Sequence, residues 1–534
     1  MQQAFAVRGV VEGFYGPPWS HDARLELVEF IGACGMNAYV YAPKDDPKHR
    51  GAWREPYDRF ESARFAELAN VAAAAGVRFA FAVSPGLDVD YGSPSDRAAL
   101  VAKFAGLLDA GVDWFWLLLD DIPVRPGLAP RQAALANAVL DALRARAPGA
   151  TLGICPTEYV GVRASPYLRA LARDLSPDVA VMWTGPTVCS PAIRAADARA
   201  RAEALGGRPP VLWDNFPVND GTMAASLHLG PYEGRDPALA GVLAGVLCNP
   251  MVQARASKVA LATAAAFLAD PAGYRADEAW RGALGRVGGT HAEALGVLAR
   301  ACADSPLREP RDLPLAGLVD ALAAAVDDPG WVGPARALAA ELRAARALAG
   351  AFPAGAPGLA GEVAPWAAAA GREAEAGLAA LRVVQQCRPV GRAAAGGSPA
   401  RAAGPDAQRA MEAVLAMCFS WSGARTNNRV VYGPRFAVYP GVVQLDDGRP
   451  GIDVGATVRE DANAIDRLCR LALAVYDDWS RQPDDRVRAV VDGEEREVGD
   501  GGAPAGAGTM TLVRWGRYAT RVDGPLPMYE PRLP

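Results

Sequence analysis

The sequence predicts a (β/α)8 barrel of the TIM type, followed by an α-helical domain and a small mixed α/β C-terminal region. Three observations lead there. Between residues 7 and 268, short apolar runs alternate with longer amphipathic ones, the rhythm of parallel βαβ units. Each apolar run is followed by residues rich in functional groups, as expected where the loops of a barrel gather at one end. Beyond residue 270 the composition turns to Ala, Leu, Arg and Glu at helical spacing.

The strands are expected at 7–11, 37–41, 77–83, 114–119, 151–155, 179–183, 211–213 and, with the weakest pattern, 242–247. The run 114–119 (Trp-Phe-Trp-Leu-Leu-Leu) is the most apolar and reads as buried on both faces. Between the strands, stretches such as 23–34, 65–75 and 132–145 place apolar residues at i, i+3 and i+4. Eight strands with eight helices close a barrel over 1–268. A helical domain is expected over 269–420, with helices at 314–325, 334–348, 374–386 and 406–419. Breaker-rich segments at 353–365 and 389–405 interrupt it, the second reading as a linker or long loop near 388–405. The remainder, 421–534, mixes strands at 429–432, 437–443, 488–491 and 509–515 with one helix at 462–479, and carries no chemical motif.

At 534 residues the chain exceeds a single ordinary core. Its formal net charge is −5 and its Lys and Arg are dispersed, which argues against nucleic acid and anionic membrane partners. The eight cysteines are scattered without a CxxC pair, so reduced thiols are expected. His21, His49, His228 and His291 lie far apart, and no metal or other cofactor is expected. No signal peptide or membrane span is read, which gives a cytoplasmic expectation.

Asp120-Asp121, directly after the 114–119 run, is the strongest chemical signal. Adjacent carboxylates in a half-buried site raise each other's pKa, so one is expected to be protonated beside an ionised partner. Successive side chains on a strand face opposite ways, and both can serve one ligand only if the chain bends there. A helix-capping pair, or a bridge from the pair to Lys44 or an arginine, remains the structural alternative. Tyr15, Tyr159, Trp183, Trp213 and Asn215 follow other strands and are suited to cover and hydrogen-bond a sugar ring. Lys44, beside Asp45 and Asp46, reads either as a site cation or as a solvated ion pair.

The blocks Val10-Val11-Glu12-Gly13-Phe14-Tyr15-Gly16, Tyr41-Ala42-Pro43-Lys44-Asp45-Asp46, Ser84-Pro85-Gly86-Leu87-Asp88, Asp120-Asp121-Ile122, Cys155-Pro156-Thr157-Glu158-Tyr159, Trp183-Thr184-Gly185-Pro186, Trp213-Asp214-Asn215 and Asn249-Pro250 run collinearly from about residue 8 to 255. They resemble glycoside hydrolase family 84, the protein O-GlcNAcases and related bacterial β-N-acetylglucosaminidases, some once called hyaluronidases. The resemblance implies a retaining exo-glycosidase whose substrate supplies its own nucleophile, an exception to the two-carboxylate scheme. By similarity Asp120 would orient the 2-acetamido group and Asp121 would act as general acid and then base. Tyr159 would bond near the acetamido oxygen, while Gly13, Lys44, Asn215, Asp220 and Asn249, with Trp213 beside them, would hold the sugar. The implied partner is a β-GlcNAc-bearing glycoside or glycoprotein, and the helical domain would either form a homodimer or roof the site. One departure stands out: Gly221 follows Asp220 where better-known members have an aromatic. Two alternatives stay open, a double-displacement glycosidase with Asp214 as nucleophile and a sugar-binding barrel without turnover.

Overall fold

The computed structural model describes residues 5–309, 314–327, 329–388, 405–425, 429–433, 441–444, 450–453, 463–480, 488–491, 494–497, 510–515 and 518–520. Eight parallel strands close into a barrel in sequence order: β1 (Val7–Glu12), β2 (Ala38–Tyr41), β3 (Arg78–Val83), β4 (Trp114–Leu118), β5 (Thr151–Cys155), β6 (Ala180–Trp183), β7 (Val211–Asp214) and β8 (Gly245–Cys248). β8 returns to β1 with Val7 opposite Gly245 and Val10 opposite Cys248, leaving no open edge.

The connecting helices are α1 (His21–Ala33), α2 (Arg59–Ala74), α3 (Pro94–Leu108), α4 (Leu128–Arg146), α5 (Pro166–Asp174) and α6 (Ala195–Ala204), with α7 (Ala254–Ala269) after β8. Local chemistry starts several of them. Ser20 caps α1 by accepting from the Ala23 N–H, Asp58 and Glu61 form a capping box on α2, and Ser93 and Ser165 cap helices that open with proline. Each such cap is worth about 1 kcal/mol.

Between β7 and β8 the expected eighth helix is replaced, among the described residues, by the 3-10 turns Gly221–Met223 and Pro237–Gly241. Pro217, Gly221, Gly230, Pro231, Gly234 and Pro237 break any helical run there. The second turn also delays the last strand relative to its expected start at 242. The N–H groups of Val242 and Leu243 both go to the Leu239 carbonyl, and pairing begins at Gly245.

Alternation along the strands sorts side chains into two layers. Val11, Ala38, Val40, Ala80, Ala82, Trp114, Trp116, Leu118, Cys155, Met182, Val211, Trp213 and Leu247 fill the barrel interior. Residues of the other parity, among them Tyr39, Phe81, Phe115, Leu117, Ile154, Trp183 and Leu212, pack beneath the helices. The interior depends on size matching. Gly153 lies against Trp116, and a Cβ there would fall 2.1 Å from the indole.

The later elements are α8 (Ala276–Gly288), α9 (Ala292–Ala301), α10 (Pro314–Ala325), α11 (Val332–Arg346), α12 (Leu348–Ala351), α13 (Gly358–Cys387), α14 (Pro405–Arg425), α15 (Ala464–Ser480) and six short strands, β9 (Gly441–Gln444), β10 (Pro450–Asp453), β11 (Arg488–Val491), β12 (Glu494–Glu497), β13 (Met510–Trp515) and β14 (Tyr518–Thr520). α13 begins inside the expected breaker segment 353–365 and carries Pro365 with its ring exposed. The strand expected at 429–432 is an irregular segment instead. Its backbone donors go to other segments, Val430 to the Ala225 carbonyl and Tyr432 to that of Ala301 at the end of α9. The breaker segment 389–405, all but Pro405, and residues 437–440 of another expected strand lie outside the described residues.

The chain divides into two compact units. One comprises Met1–Gly317, Ala340–Ala374 and Arg425–Ala464, the other Leu318–Ala339, Glu375–Ala424 and Ile465–Pro534. Within the first, Glu362 accepts the N–H groups of Arg255 and Ala256 and so caps α7, and the Trp366 indole donates to the Ala225 carbonyl at 2.9 Å. Both contacts brace segments that follow β7 and β8. Among the described residues no helix is long and apolar enough to cross a membrane.

Candidate active site

Strand parity carries directly into the loops at the C-terminal end of the barrel. Trp114, Trp116 and Leu118 point inward, and the next residue of that parity is Asp120. On the same rule Lys44 continues Val40 and Ala42, Thr184 continues Met182, Asn215 continues Trp213, and Asn249 continues Leu247. Gly13, Tyr15, Lys44, Asp120, Asp121, Cys155, Tyr159, Thr184, Val188, Cys189, Trp213, Asn215, Val218, Asp220 and Asn249 line one cleft.

Asp121 should point outward, yet it lines the same cleft. Its backbone is left-handed, with φ of 56°, a conformation Asp tolerates better than most residues. That is the bend two adjacent carboxylates need. Asp121 Oδ2 accepts from the Tyr15 hydroxyl at 2.6 Å and Oδ1 from that of Tyr159 at 2.9 Å. Asp120 Oδ2 is paired with Lys44 Nζ, which also stands 3.9 Å from Asp121. Asp120 Oδ1 is buried and has no hydrogen-bond donor among the described residues.

The electrostatics follow from these contacts. Burial raises the Asp120 pKa, with Lys44 opposing and Asp121 adding to the rise. Burial pushes Asp121 upward too, but Lys44 and the Tyr15 and Tyr159 hydroxyls, with Arg50 behind, hold it below the usual carboxylate range. Burial works against the Lys44 cation, and the two aspartates more than compensate. Asp220 accepts the Tyr15 N–H at 2.7 Å, and burial lifts its pKa. The Cys155 and Cys189 thiols are pushed up by burial, Cys189 to about 12, so both stay protonated.

The amides are partly committed to one another. Asn215 Oδ1 accepts from Trp213 Nε1 at 3.0 Å and Asn249 Nδ2 at 2.9 Å, while Asn215 Nδ2 donates to the Val188 carbonyl. Asn249 Oδ1 accepts the Gly13 N–H at 3.2 Å. Each amide nitrogen keeps a second hydrogen for a ligand. Gly13 is fixed by space, since a Cβ there would lie 2.1 Å from the Trp213 ring.

Gly13, Tyr15, Lys44, Asp120, Asp121, Tyr159, Trp213, Asn215, Asp220 and Asn249, all read from the sequence, line the cleft, whereas Trp183 and several neighbours in the motifs do not. Trp183 is fully buried in the outer layer and donates to the Gly161 carbonyl. Asp214 faces outward as well, held by Arg235 on both oxygens and by the Tyr232 hydroxyl at 2.6 Å. Lys44 pairs with Asp120 rather than with Asp45 or Asp46. Sequence reasoning missed Val188, Cys189 and Val218, which sit on irregular loops, and Arg50, whose only signal was a place in the Lys44 loop. Gly221 has φ of 55° and open space beside it, and Asp220 still reaches Tyr15. No group of three or more His, Cys, Asp or Glu among the described residues is placed to hold a metal ion.

A carboxylate pair and a cation at the mouth of a (β/α)8 barrel, ringed by tyrosines, an indole and amides, form a site suited to a polar, ring-shaped ligand. The family model for β-N-acetylglucosaminidase matches residues 8–300, and the chain belongs to that family. It is 38% identical over 274 residues to the protein O-GlcNAcases of Rattus norvegicus and Mus musculus, covering 48% of this chain and 29% of theirs. The chain thus matches less than a third of the length of those relatives. A solved structure of a variant O-GlcNAc hydrolase from Thermobaculum terrenum is similar with a TM-score of 0.74 and 28% identity, over 89% of this chain and 95% of that one.

Proposed function

We propose that the chain is a retaining exo-β-N-acetylglucosaminidase of the O-GlcNAcase kind, which releases terminal β-linked GlcNAc through an oxazoline intermediate. The observation that carries this reading is Asp120 Oδ1, a buried acceptor with no donor among the described residues, in the cleft at the mouth of the barrel. A buried carboxylate oxygen left unpaired is costly, and the 2-acetamido N–H of a bound sugar supplies the missing bond. That bond favours ionised Asp120. The sugar also excludes water from Asp121, which favours its protonated form.

In the first step the acetamido oxygen attacks the anomeric carbon as the bond to the leaving oxygen breaks. Asp121 gives its proton to that oxygen, and ionised Asp120 stabilises the charge developing on the acetamido nitrogen. In the second, Asp121 takes a proton from water, which adds to the anomeric carbon and reopens the oxazoline. Tyr159 steadies Asp121 and lies near the acetamido group, while Gly13, Lys44, Trp213, Asn215, Asp220 and Asn249 seat the sugar. Asp214 makes a poor nucleophile in this reading, because Arg235 and Tyr232 already occupy both its oxygens.

The test compares aryl β-glycosides of N-acetylglucosamine and glucose, then an O-GlcNAc-modified peptide. Turnover is expected for the 2-acetamido sugar alone and should slow as fluorines are added to its acetyl group. Failure on every 2-acetamido sugar, or a glycosyl-enzyme trapped on Asp214, overturns the assignment. The reading includes a reducing, cytoplasmic setting, supported by eight free cysteines. It also includes a homodimer, supported by Leu415 and Phe419, one turn apart and exposed on α14, and checked by sedimentation.

A further inference from the structure

We propose that Arg50 is a positioning residue for the acid/base group: it fixes the Tyr15 hydroxyl as a donor to Asp121 and so governs delivery of the leaving-group proton. The inference rests on the assignment of Asp121 as general acid and base.

Arg50 Nη1 donates to the Tyr15 hydroxyl at 2.9 Å, and that hydroxyl lies 2.6 Å from Asp121 Oδ2. A guanidinium has no acceptor, so the direction of the first bond is fixed. The tyrosine oxygen receives from Arg50, and its single proton points to the carboxylate. The guanidinium also lies 5.3 Å from the centre of the Tyr15 ring, and among the described residues no carboxylate stands within ion-pair distance of Arg50. Its side chain is committed to Tyr15.

The platform beneath is rigid. His49, fully buried, bonds the Ala82 carbonyl through Nδ1 at 2.8 Å, and the Ser84 N–H returns to the His49 carbonyl at 2.8 Å. Lys103 Nζ donates to the Lys48 carbonyl at 2.5 Å. The loop bearing Arg50 is thereby pinned to β3 and α3. From the other side, Asp220 takes the Tyr15 N–H, so backbone and hydroxyl of Tyr15 are both held.

An obligate donor stabilises the carboxylate form of Asp121 and resists its protonation. The other groups around Asp121 are Lys44, Tyr159, Asp120, Cys155 and Asp220. Lys44 and Tyr159 act in the same sense as Arg50, while Asp120 and Asp220 oppose it. Losing Arg50 removes a positive charge and frees the hydroxyl to turn and accept from protonated Asp121. Both effects favour the acid form.

The experiment measures kcat against pH for an alkyl N-acetylglucosaminide, whose poor leaving group makes the protonated acid essential. For R50Q the alkaline limb should move up by about one pH unit. Y15F should move it likewise, the double variant by less than the sum of the two single shifts, and R50K should restore much of the wild-type profile. A second readout needs no turnover: the 13C-labelled Asp121 carboxyl, followed by NMR, should titrate at higher pH in R50Q than in the wild type. An unmoved limb and an unmoved titration, or R50Q and Y15F shifts that simply add, overturn the relay. If the wild type cleaves no 2-acetamido glycoside, the functional assignment fails and the carboxyl titration alone decides the relay.

Discussion

The ends of β4 and β7 are built from similar residues and do opposite things. Each finishes with a tryptophan-bearing strand and an aspartate, Asp120 after β4 and Asp214 at the end of β7. Asp120 has inward parity, one oxygen on Lys44 and the other unbonded in the cleft. Asp214 has outward parity and is saturated by Arg235 and Tyr232. Residue type and strand-end position do not distinguish them. Position along the alternation does, and it separates a carboxylate that lines the cleft from a structural clamp.

Mutation can break this contrast. The largest effect is expected for Asp120→Asn, which should lower kcat/KM on the order of a thousandfold, about 4 kcal/mol, for good and poor leaving groups alike. Melting is measured alongside, because Lys44 loses its partner too. Asp214→Asn should act on the fold instead, lowering unfolding stability by about 3 kcal/mol because Arg235 is left buried with a neutral partner. Its folded fraction should turn over within tenfold of wild type. Turnover abolished with melting unchanged would invert the comparison.

A smaller, selective effect is expected for Asp121→Asn, roughly a hundredfold on an alkyl glycoside and about tenfold or less on an activated aryl glycoside. Equal losses on both would remove Asp121 from the acid role. Gly13→Ala sharpens the β7 side, where Trp213 is the inward residue. Overpacking against the indole should cost about 1–3 kcal/mol of stability and raise KM more than it lowers kcat, as read by denaturant titration and steady-state kinetics.

The same contrast explains what the sequence made legible. Eight strands were readable because apolar runs of strand length alternate with amphipathic ones, and Asp120-Asp121 because two charges after so apolar a run are uncommon. Trp183 does not reach the cleft that its strand-end position suggests, because its parity turns it outward beneath the helices. The replacement of the helix before β8 by 3-10 turns is not legible, because a long Pro- and Gly-rich connection has the length of an ordinary crossover. Arg50, Val188 and Cys189 were out of reach for a different reason. They sit on irregular loops whose course is set by tertiary bonds, such as that from His49 to β3, and no local period records those.

The left-handed turn at Asp121 bears on how such a barrel could change over evolutionary time. Asn and Gly accept that backbone, whereas Val, Ile or Thr would be strained there. A chain that exchanged Asp121 for either permissive residue would keep the loop, the Lys44–Asp120 pair and the amide cluster, and would lose the proton donor. On the proposed mechanism a descendant that grips the sugar and cuts unactivated glycosides far more slowly is thus one residue away, and the path runs through the same bend that lets two neighbouring acids line one cleft.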